Sequence, residues 1–289
     1  MAKRKFTDKV LTERALRSIA KTPDPRLKQV MTSFIKHMHG FVRDVKPTPD
    51  EWMAGIKFLT DTGHWCTGSR QEFILLSDTQ GVSMLVDYLN YRAGAGTTES
   101  TVLGPFHREG APEYKLGDNI CKPGTPGEPC VVRGSVCDAT GRPIANAKLD
   151  LWQGDAEGFY DSQRGEAMNL RGVMRTDAEG RFWFRCVKPT AYPVPHDGPV
   201  GKLLTATGRH PMRPAHLHFL ITAPGCRPLV THLFVKGDKY LGSDAVFGVK
   251  DSLVVDFRKG RDGVFEAKYD FVLMPEVPPK KKARAKKKK

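Results

Sequence analysis

Apolar and polar positions follow two different rhythms along this 289-residue chain, and the change comes near residue 100. In the first part apolar residues recur at helical spacing. Leu27, Val30, Met31, Phe34, Ile35 and Met38 follow Thr22 and Asp24 at steps of three and four, which lays one apolar stripe along a helix. Thr48-Pro49-Asp50-Glu51 reads as a helix start: Thr48 caps, Pro49 takes the first helical position, where no N–H is needed, and Glu51 completes a capping box. Trp52, Ile56 and Leu59 then share a face, and Gly63 is a stop signal. Ser69-Arg70-Gln71-Glu72 repeats the capping-box pattern ahead of Phe73, and an apolar helix over 82–91 ends near Gly94 and Gly96.

Beyond residue 100, short apolar or alternating runs are separated by turn signals such as Asp138-Ala139-Thr140-Gly141, Asp177-Ala178-Glu179-Gly180 and Arg261-Asp262-Gly263. Strands are expected over 131–137, 147–152, 181–186, 216–221, 229–235, 253–257 and 264–273, a pattern of antiparallel sandwiches and barrels. The expected architecture is α+β: a helical N-terminal domain (1–100) packed on an antiparallel β-sandwich (101–275), followed by a disordered basic tail (276–289).

Charge changes this picture only at the end of the chain. Eight of the last ten residues are Lys or Arg, and setting them aside lowers the formal charge from +14 to +6. Such a run repels itself and stays solvated; it touches nucleic acid or anionic membrane without specificity. No run of about 18 apolar residues is present, so a membrane span is not expected. No apolar segment follows the basic start, so no secretory signal is expected either. The six cysteines form no C-x-x-C pair and read as free thiols of a cytoplasmic protein.

The chemistry concentrates around His216-Leu217-His218. Strand side chains alternate, so the two imidazoles share a face about 7 Å apart along the backbone and can converge on one metal ion. Alone, H-x-H is a weak pattern. No carboxylate lies close by in sequence to complete a two-histidine, one-carboxylate iron(II) site, which places a zinc or iron(II) hydrolase last. The anionic donors on offer are phenols, since a phenol with an ordinary pKa of about 10 ionises on a strongly charged cation. Spacing does not select which of the seven tyrosines these would be.

Longer segments carry a resemblance. Thr98–Phe106 (TESTVLGPF), Asp150–Asp155 (DLWQGD), Gly158–Asp161 (GFYD) and above all Gly208–Phe219 (GRHPMRPAHLHF) resemble the intradiol ring-cleaving dioxygenases. Tyr240–Gly248 (YLGSDAVFG) and Phe73–Asp78 (FILLSD) resemble the hydroxyquinol branch more than the catechol or protocatechuate enzymes. The resemblance implies a ferric, Fe(III), site held by Tyr160, Tyr192, His216 and His218, with Arg213 stabilising negative charge on the ring and Tyr192 accepting a substrate proton. It implies a substrate pocket of Leu75, Asp78, Val102, Leu103, Gly104, Pro105, Phe106, Val194 and Arg213, where Asp78 accepts a hydrogen bond from the third hydroxyl of hydroxyquinol. O2 and an aromatic diol would be the reactants, and 3-hydroxymuconate, tautomerising to maleylacetate, the product. A homodimer through the N-terminal helices, with room for a phospholipid between subunits, is implied as well. His232 stands where catechol-type enzymes usually have glutamine and is expected beside the ligands, not among them. His107-Arg108 make the pocket rim more cationic than the resemblance implies, which favours an anionic substrate. Two other readings compete: a catechol or substituted-catechol 1,2-dioxygenase, and a non-catalytic β-sandwich that binds nucleic acid through its tail.

Overall fold

The computed structural model describes residues 6–68, 70–92, 94, 96–165 and 168–276. The chain divides into two units, one ending at Asp61 and one beginning at Thr62. The first holds α1 (Asp8–Ser18), α2 (Pro25–Val45) and most of α3 (Pro49–His64). The side chain of Asp24 accepts from the backbone N–H groups of Arg26 and Leu27, and Pro25 opens α2 without forfeiting a bond. Both halves of the expected capping box form: Thr48 N donates to Glu51 Oε2 (2.7 Å) and Glu51 N to Thr48 Oγ1 (3.3 Å). Thr12 ties α1 to α2 through His39 (2.9 Å) and Arg43 (3.0 Å). Most of the predicted α2 stripe faces outward, for Leu27, Val30, Phe34 and Met38 are all exposed, as are Phe41, Val42 and Val45.

The second unit continues with α4 (Glu72–Thr79) and α5 (Val82–Asn90). Ser69, the first residue of the second predicted capping box, lies outside the described residues. α4 itself begins at Glu72 with no side-chain cap from Gln71. Then come β1 (Pro129–Asp138), β2 (Lys148–Trp152), β3 (Arg171–Arg175), β4 (Arg181–Val187), β5 (Tyr192–Pro193), α6 (Pro199–Ala206), β6 (Met212–Arg213), β7 (His216–Thr222), β8 (Leu229–Val235), β9 (Val254–Val255), β10 (Arg258–Lys259), β11 (Phe265–Lys268) and β12 (Phe271–Leu273). One five-stranded sheet runs β10-β11-β1-β12, with β4 on the other edge of β1; the second runs β3-β2-β7-β8-β9. Most ladders are antiparallel, but β1 pairs in parallel with β11 and β12, and β8 with β9. The sheets are therefore mixed where the pattern of short strands suggested antiparallel ones.

The single strand expected over 264–273 is two. At their junction Tyr269 N donates to Arg133 O, and Tyr269 O comes so near Gly134 that a Cβ there would overlap it. Only glycine lets the chain step across at that point.

The period-two rule builds the rest. Leu149 and Leu151 of β2, Leu217, Phe219 and Ile221 of β7, and Leu229, Leu233 and Val235 of β8 pack with Val132, Phe182, Phe184 and Phe271 of the other sheet into one buried core. The alternate residues must face the opposite way. They are Asp150 and Trp152, His216 and His218, and His232 and Phe234, all buried in turn beneath the connecting segments. The sheet thus has an apolar inner face and a polar, covered outer face.

Candidate functional site

Register brings the outer-face residues together. His218 lies directly opposite Trp152 on β2 and His232 on β8, and its ring stacks on that of Trp152 (centroids 4.7 Å apart, 16° between planes). β5 pairs with β6 so that Tyr192 faces Arg213, which stands three residues before His216 and five before His218. Tyr160 enters from the loop after β2, at the start of a short 3₁₀ turn, with Phe106 stacked on its ring at 4.3 Å.

Four donor atoms meet. The Tyr160 hydroxyl lies 2.8 Å from His218 Nε2 and 3.2 Å from the Tyr192 hydroxyl; the latter is 3.4 Å from His216 Nε2, which is 3.1 Å from His218 Nε2. His216 Nδ1 donates to Pro214 O (2.7 Å), so its Nε2 presents a lone pair to the cluster. All four side chains are buried.

The electrostatics match that arrangement. Burial, reinforced by the Arg213 charge, lowers the His216 imidazole to about 3, and burial with the neighbouring His232 and His216 drives His218 well below its usual value. Both rings are neutral and able to act as ligands. Burial raises both phenols, Tyr160 the more strongly because Tyr192 adds to the effect. Two phenols that resist ionisation and two imidazoles that resist protonation suit a multivalent cation, which would supply the positive charge the phenolates need. Donor spacings of 2.8–3.4 Å are those spanned by a central ion with bonds of about 2 Å. The residues fit a metal ion.

Arg213 sits beside the cluster, its Nη1 3.2 Å from His216 Nε2. Its other edge is paired with Asp244 (Nε–Oδ1 3.0 Å, Nη2–Oδ2 3.2 Å), a buried carboxylate. Burial opposes Asp244's ionisation, but Arg213 outweighs it and holds the carboxyl below its usual range. For Asp78 burial wins over the Ser83 hydroxyl and the Arg213 charge and pushes the carboxyl up.

Arg213 apart, the expected pocket residues fall into three groups. Asp78, Val102, Leu103, Gly104 and Pro105 line a cavity of about 530 Å³ together with Ser77, Ser83, Asp87 and Thr101. Leu75 and Val194 pack with Val200, Leu204 and Val246 in a small apolar cluster. Phe106 joins Trp152, Tyr160 and Tyr192. Gly104 marks where the first group reaches the donor cluster, because a Cβ there would stand 3.4 Å from His218 Cε1.

Three residues singled out in the sequence gain their surroundings in the fold. His107 pairs with Asp150 (3.4 Å) and Arg108 with Asp161 (3.2 Å), so the added positive charge at the rim is met by carboxylates. His232 is buried within 4.8 Å, ligand atom to ligand atom, of both His216 and His218. Its Nδ1 is 3.1 Å from Thr101 Oγ1, while its Nε2 has no hydrogen-bond partner among the described residues. Sequence reading also missed the buried pair Arg171–Asp161, in which Asp161 follows Tyr160 and Arg171 Nη2 donates to Phe106 O (3.1 Å). The pair ties the Phe106 loop to the Tyr160 turn. A signal was available: Asp161 and Asp244 are acids inside otherwise apolar motifs, where an unpaired charge is too costly to keep.

Known proteins now give this geometry its context. Residues 102–275 match the family model described as dioxygenase, and 24–98 the one described as catechol dioxygenase N terminus. The chain belongs to the intradiol dioxygenase family. It is 52% identical over 269 residues to the 6-chlorohydroxyquinol 1,2-dioxygenase of Cupriavidus pinatubonensis, covering 92% of this chain and 97% of that one. To the hydroxyquinol 1,2-dioxygenase of a Rhizobium species it is 50% identical, covering 89% and 88%. Its fold superposes on the crystal structure of hydroxyquinol 1,2-dioxygenase from Pseudomonas putida with a TM-score of 0.88 at 47% identity, over 93% of this chain and 99% of that one. The chain is an enzyme of this family. No helix among the described residues is long and apolar enough to cross a membrane.

Proposed function

We propose that this dioxygenase opens hydroxyquinol between its two adjacent hydroxylated carbons, adding both atoms of O2 to give 3-hydroxymuconate, which tautomerises to maleylacetate. The observation that carries this reading is the ring of four donors, Tyr160 Oη, Tyr192 Oη, His216 Nε2 and His218 Nε2, at 2.8–3.4 Å from one to the next. These four would hold Fe(III). When bound, ferric iron draws electron density from a chelated diol and so makes the ring reactive toward O2.

The chain's own residues do the rest. Tyr192, as the phenolate that a bound cation would stabilise, would accept a proton from the diol, and the neighbouring Arg213 guanidinium would meet negative charge as it develops on the ring. Trp152 and Phe106 cover His218 and Tyr160 and exclude water from the cluster. Asp78, on the wall of the 530 Å³ cavity with Ser83 beside it, would accept a hydrogen bond from the third hydroxyl. A diol lacking that hydroxyl leaves the buried carboxyl with the Ser83 hydroxyl as its one hydrogen-bond donor among the described residues, which favours hydroxyquinol over plain catechol. The pairing of His107 and Arg108 with carboxylates removes the main reason to expect an anionic substrate.

In solution the expected assembly is a homodimer through the helical N-terminal region (1–100), the catalytic domain being 101–275 and 276–289 a tail. The family models part at nearly the same point, and the exposed apolar face of α2 needs a cover. A phospholipid at that interface and a cytoplasmic location complete the proposal. The deciding experiment measures O2 uptake on hydroxyquinol, catechol, 4-chlorocatechol and protocatechuate, with product spectra and iron analysis. Hydroxyquinol consumed one-to-one with O2 by an iron-containing, coloured protein is the expected result; a protein that binds no iron and opens none of the four diols sinks the reading.

A further inference from the structure

We propose that Asp244 is a positioning residue for ring cleavage, fixing the Arg213 guanidinium by a two-point ion pair that leaves only Nη1 turned toward the donor cluster. The inference rests on the function proposed above and adds a residue to it. Arg213 has three guanidinium nitrogens. Nε and Nη2 are taken by the two Asp244 oxygens at 3.0 and 3.2 Å, and Nη1 remains, 3.2 Å from His216 Nε2. A planar fork held at two points cannot rotate, so the direction of the third nitrogen is set by where Asp244 sits.

The carboxylate is itself anchored by the backbone. Val246 N donates to Oδ1 (3.3 Å) and Gly248 N to Oδ2 (2.9 Å), so four N–H groups saturate the two oxygens. The turn closes this tightly because residue 248 is glycine. A Cβ there would stand 2.9 Å from Arg213 Nη2 and 3.2 Å from Asp244 Oδ2, inside the ion pair. Both partners are buried, with Arg213 3% and Asp244 5% exposed, so water does not substitute for either. Asp78 is another carboxylate whose charge acts on this arginine. Without Asp244 the guanidinium would be free to turn toward Asp78 and occupy the group expected to receive the substrate's third hydroxyl.

The test is a double-variant cycle on the iron-loaded enzyme: Asp244→Asn, Arg213→Gln and the pair together, each followed by iron content, melting temperature, kcat and KM for hydroxyquinol. Asp244→Asn is expected to keep its iron and lose about 100-fold in kcat with KM changed less than about threefold. The double variant is expected to be no slower than Arg213→Gln alone, because Asp244 acts only through that arginine. Losses that multiply, or an Asp244→Asn enzyme with wild-type kcat, overturn the proposal. Should Asp244→Asn not fold, Arg213→Lys carries the test, since it keeps the charge pair but cannot engage two points. A loss of about 30-fold or more in kcat is then expected, and near-wild-type turnover overturns the idea. Wild-type protein that opens no diol overturns the functional reading and this one with it; active wild type with insensitive variants overturns only the role of Asp244.

Discussion

The two units of this chain depart from the apolar-inside rule in opposite directions. In the first, α2 turns Leu27, Val30, Phe34, Met38, Phe41, Val42 and Val45 outward, large apolar side chains that a free surface seldom carries in such a row. In the second, charged and polar groups go inside: Arg171, Arg213, Asp161, Asp244, His216, His218 and His232 are all buried on one face of one sheet and in the segments over it. An exposed apolar stripe gains free energy by being covered, which is why a partner surface is proposed there. A buried set of charges costs free energy to fold and persists only where its members pair or hold something, so it marks a candidate reaction site. A single strand shows the second case at its sharpest. Leu217, Phe219 and Ile221 of β7 make core, while His216 and His218 one residue away make the site.

Breaking the donor cluster has the largest expected effect. His216→Ala should abolish iron binding by elemental analysis and with it all ring cleavage, since one of four donors and its Pro214-fixed orientation are lost. Tyr192→Phe should retain part of the iron but slow turnover by about 100-fold, the proton acceptor being gone while three donors stay. Full activity in both variants would remove these residues from the site. On the other face of the same strand, Leu217→Ala should cost about 2–5 kcal/mol of stability in a denaturant titration, with iron per folded molecule unchanged. If Leu217→Ala instead loses iron while still folded, the two faces are not independent and the comparison fails.

What was legible in the sequence follows the same division. The apolar stripe of α2, the Thr48–Glu51 box and the strands around the core were readable because local periodicity and hydrogen bonding set them. The site was readable in part. Alternation put His216 and His218 on one face, but only the family resemblance singled out Tyr160 and Tyr192, which arrive from a loop and a two-residue strand with no period of their own. For Arg213–Asp244 and Arg171–Asp161 the acids signalled that they needed partners, but which arginine each meets was not readable, because the meeting depends on the path of an irregular segment. α6 and β3 were missed for a different reason. Pro199–Ala206 is too short to show a helical period, and Arg171–Arg175 opens on a buried arginine that Asp161 neutralises and ends on an exposed one.

Two smaller effects sharpen the contrast. Asp78→Leu should raise KM for hydroxyquinol about 10-fold while leaving catechol within about twofold, the mark of one lost hydrogen bond to one hydroxyl. Equal loss on both diols would place Asp78 outside the substrate's reach. The buried histidines also make a prediction about acid. The His216 imidazole ionises at about 3 when folded, against about 6.5 in the unfolded chain. Below pH 6.5 the unfolded state therefore binds a proton that the folded state refuses, and stability must fall as pH drops through the window from 6.5 toward 3. His218 and His232 are shifted the same way by burial and add to the slope. Metal-free protein whose melting temperature is flat over that range would show that these rings are not buried and neutral. Substituting His232 with Gln should make the dependence shallower.

The smallest effect on chemistry, and the clearest test of the outward-facing stripe, comes from the first unit. Phe34 and Phe41 lie on the exposed face of α2, at 56% and 57% accessibility. Phe34→Glu with Phe41→Glu places two charges where a partner's apolar surface would have to desolvate them, which no well-packed interface tolerates without a counter-charge. Light scattering should show a dimer become a monomer, while kcat on hydroxyquinol stays within about a factor of two, since surface substitutions of this kind seldom shift a folded domain by more than about 0.5 kcal/mol. A wild-type monomer, or a variant that remains a dimer, removes the stripe as the assembly surface. A variant that dissociates and also loses turnover would show that catalysis depends on assembly, and that the unit which exposes apolar surface helps to sustain the one that buries charge.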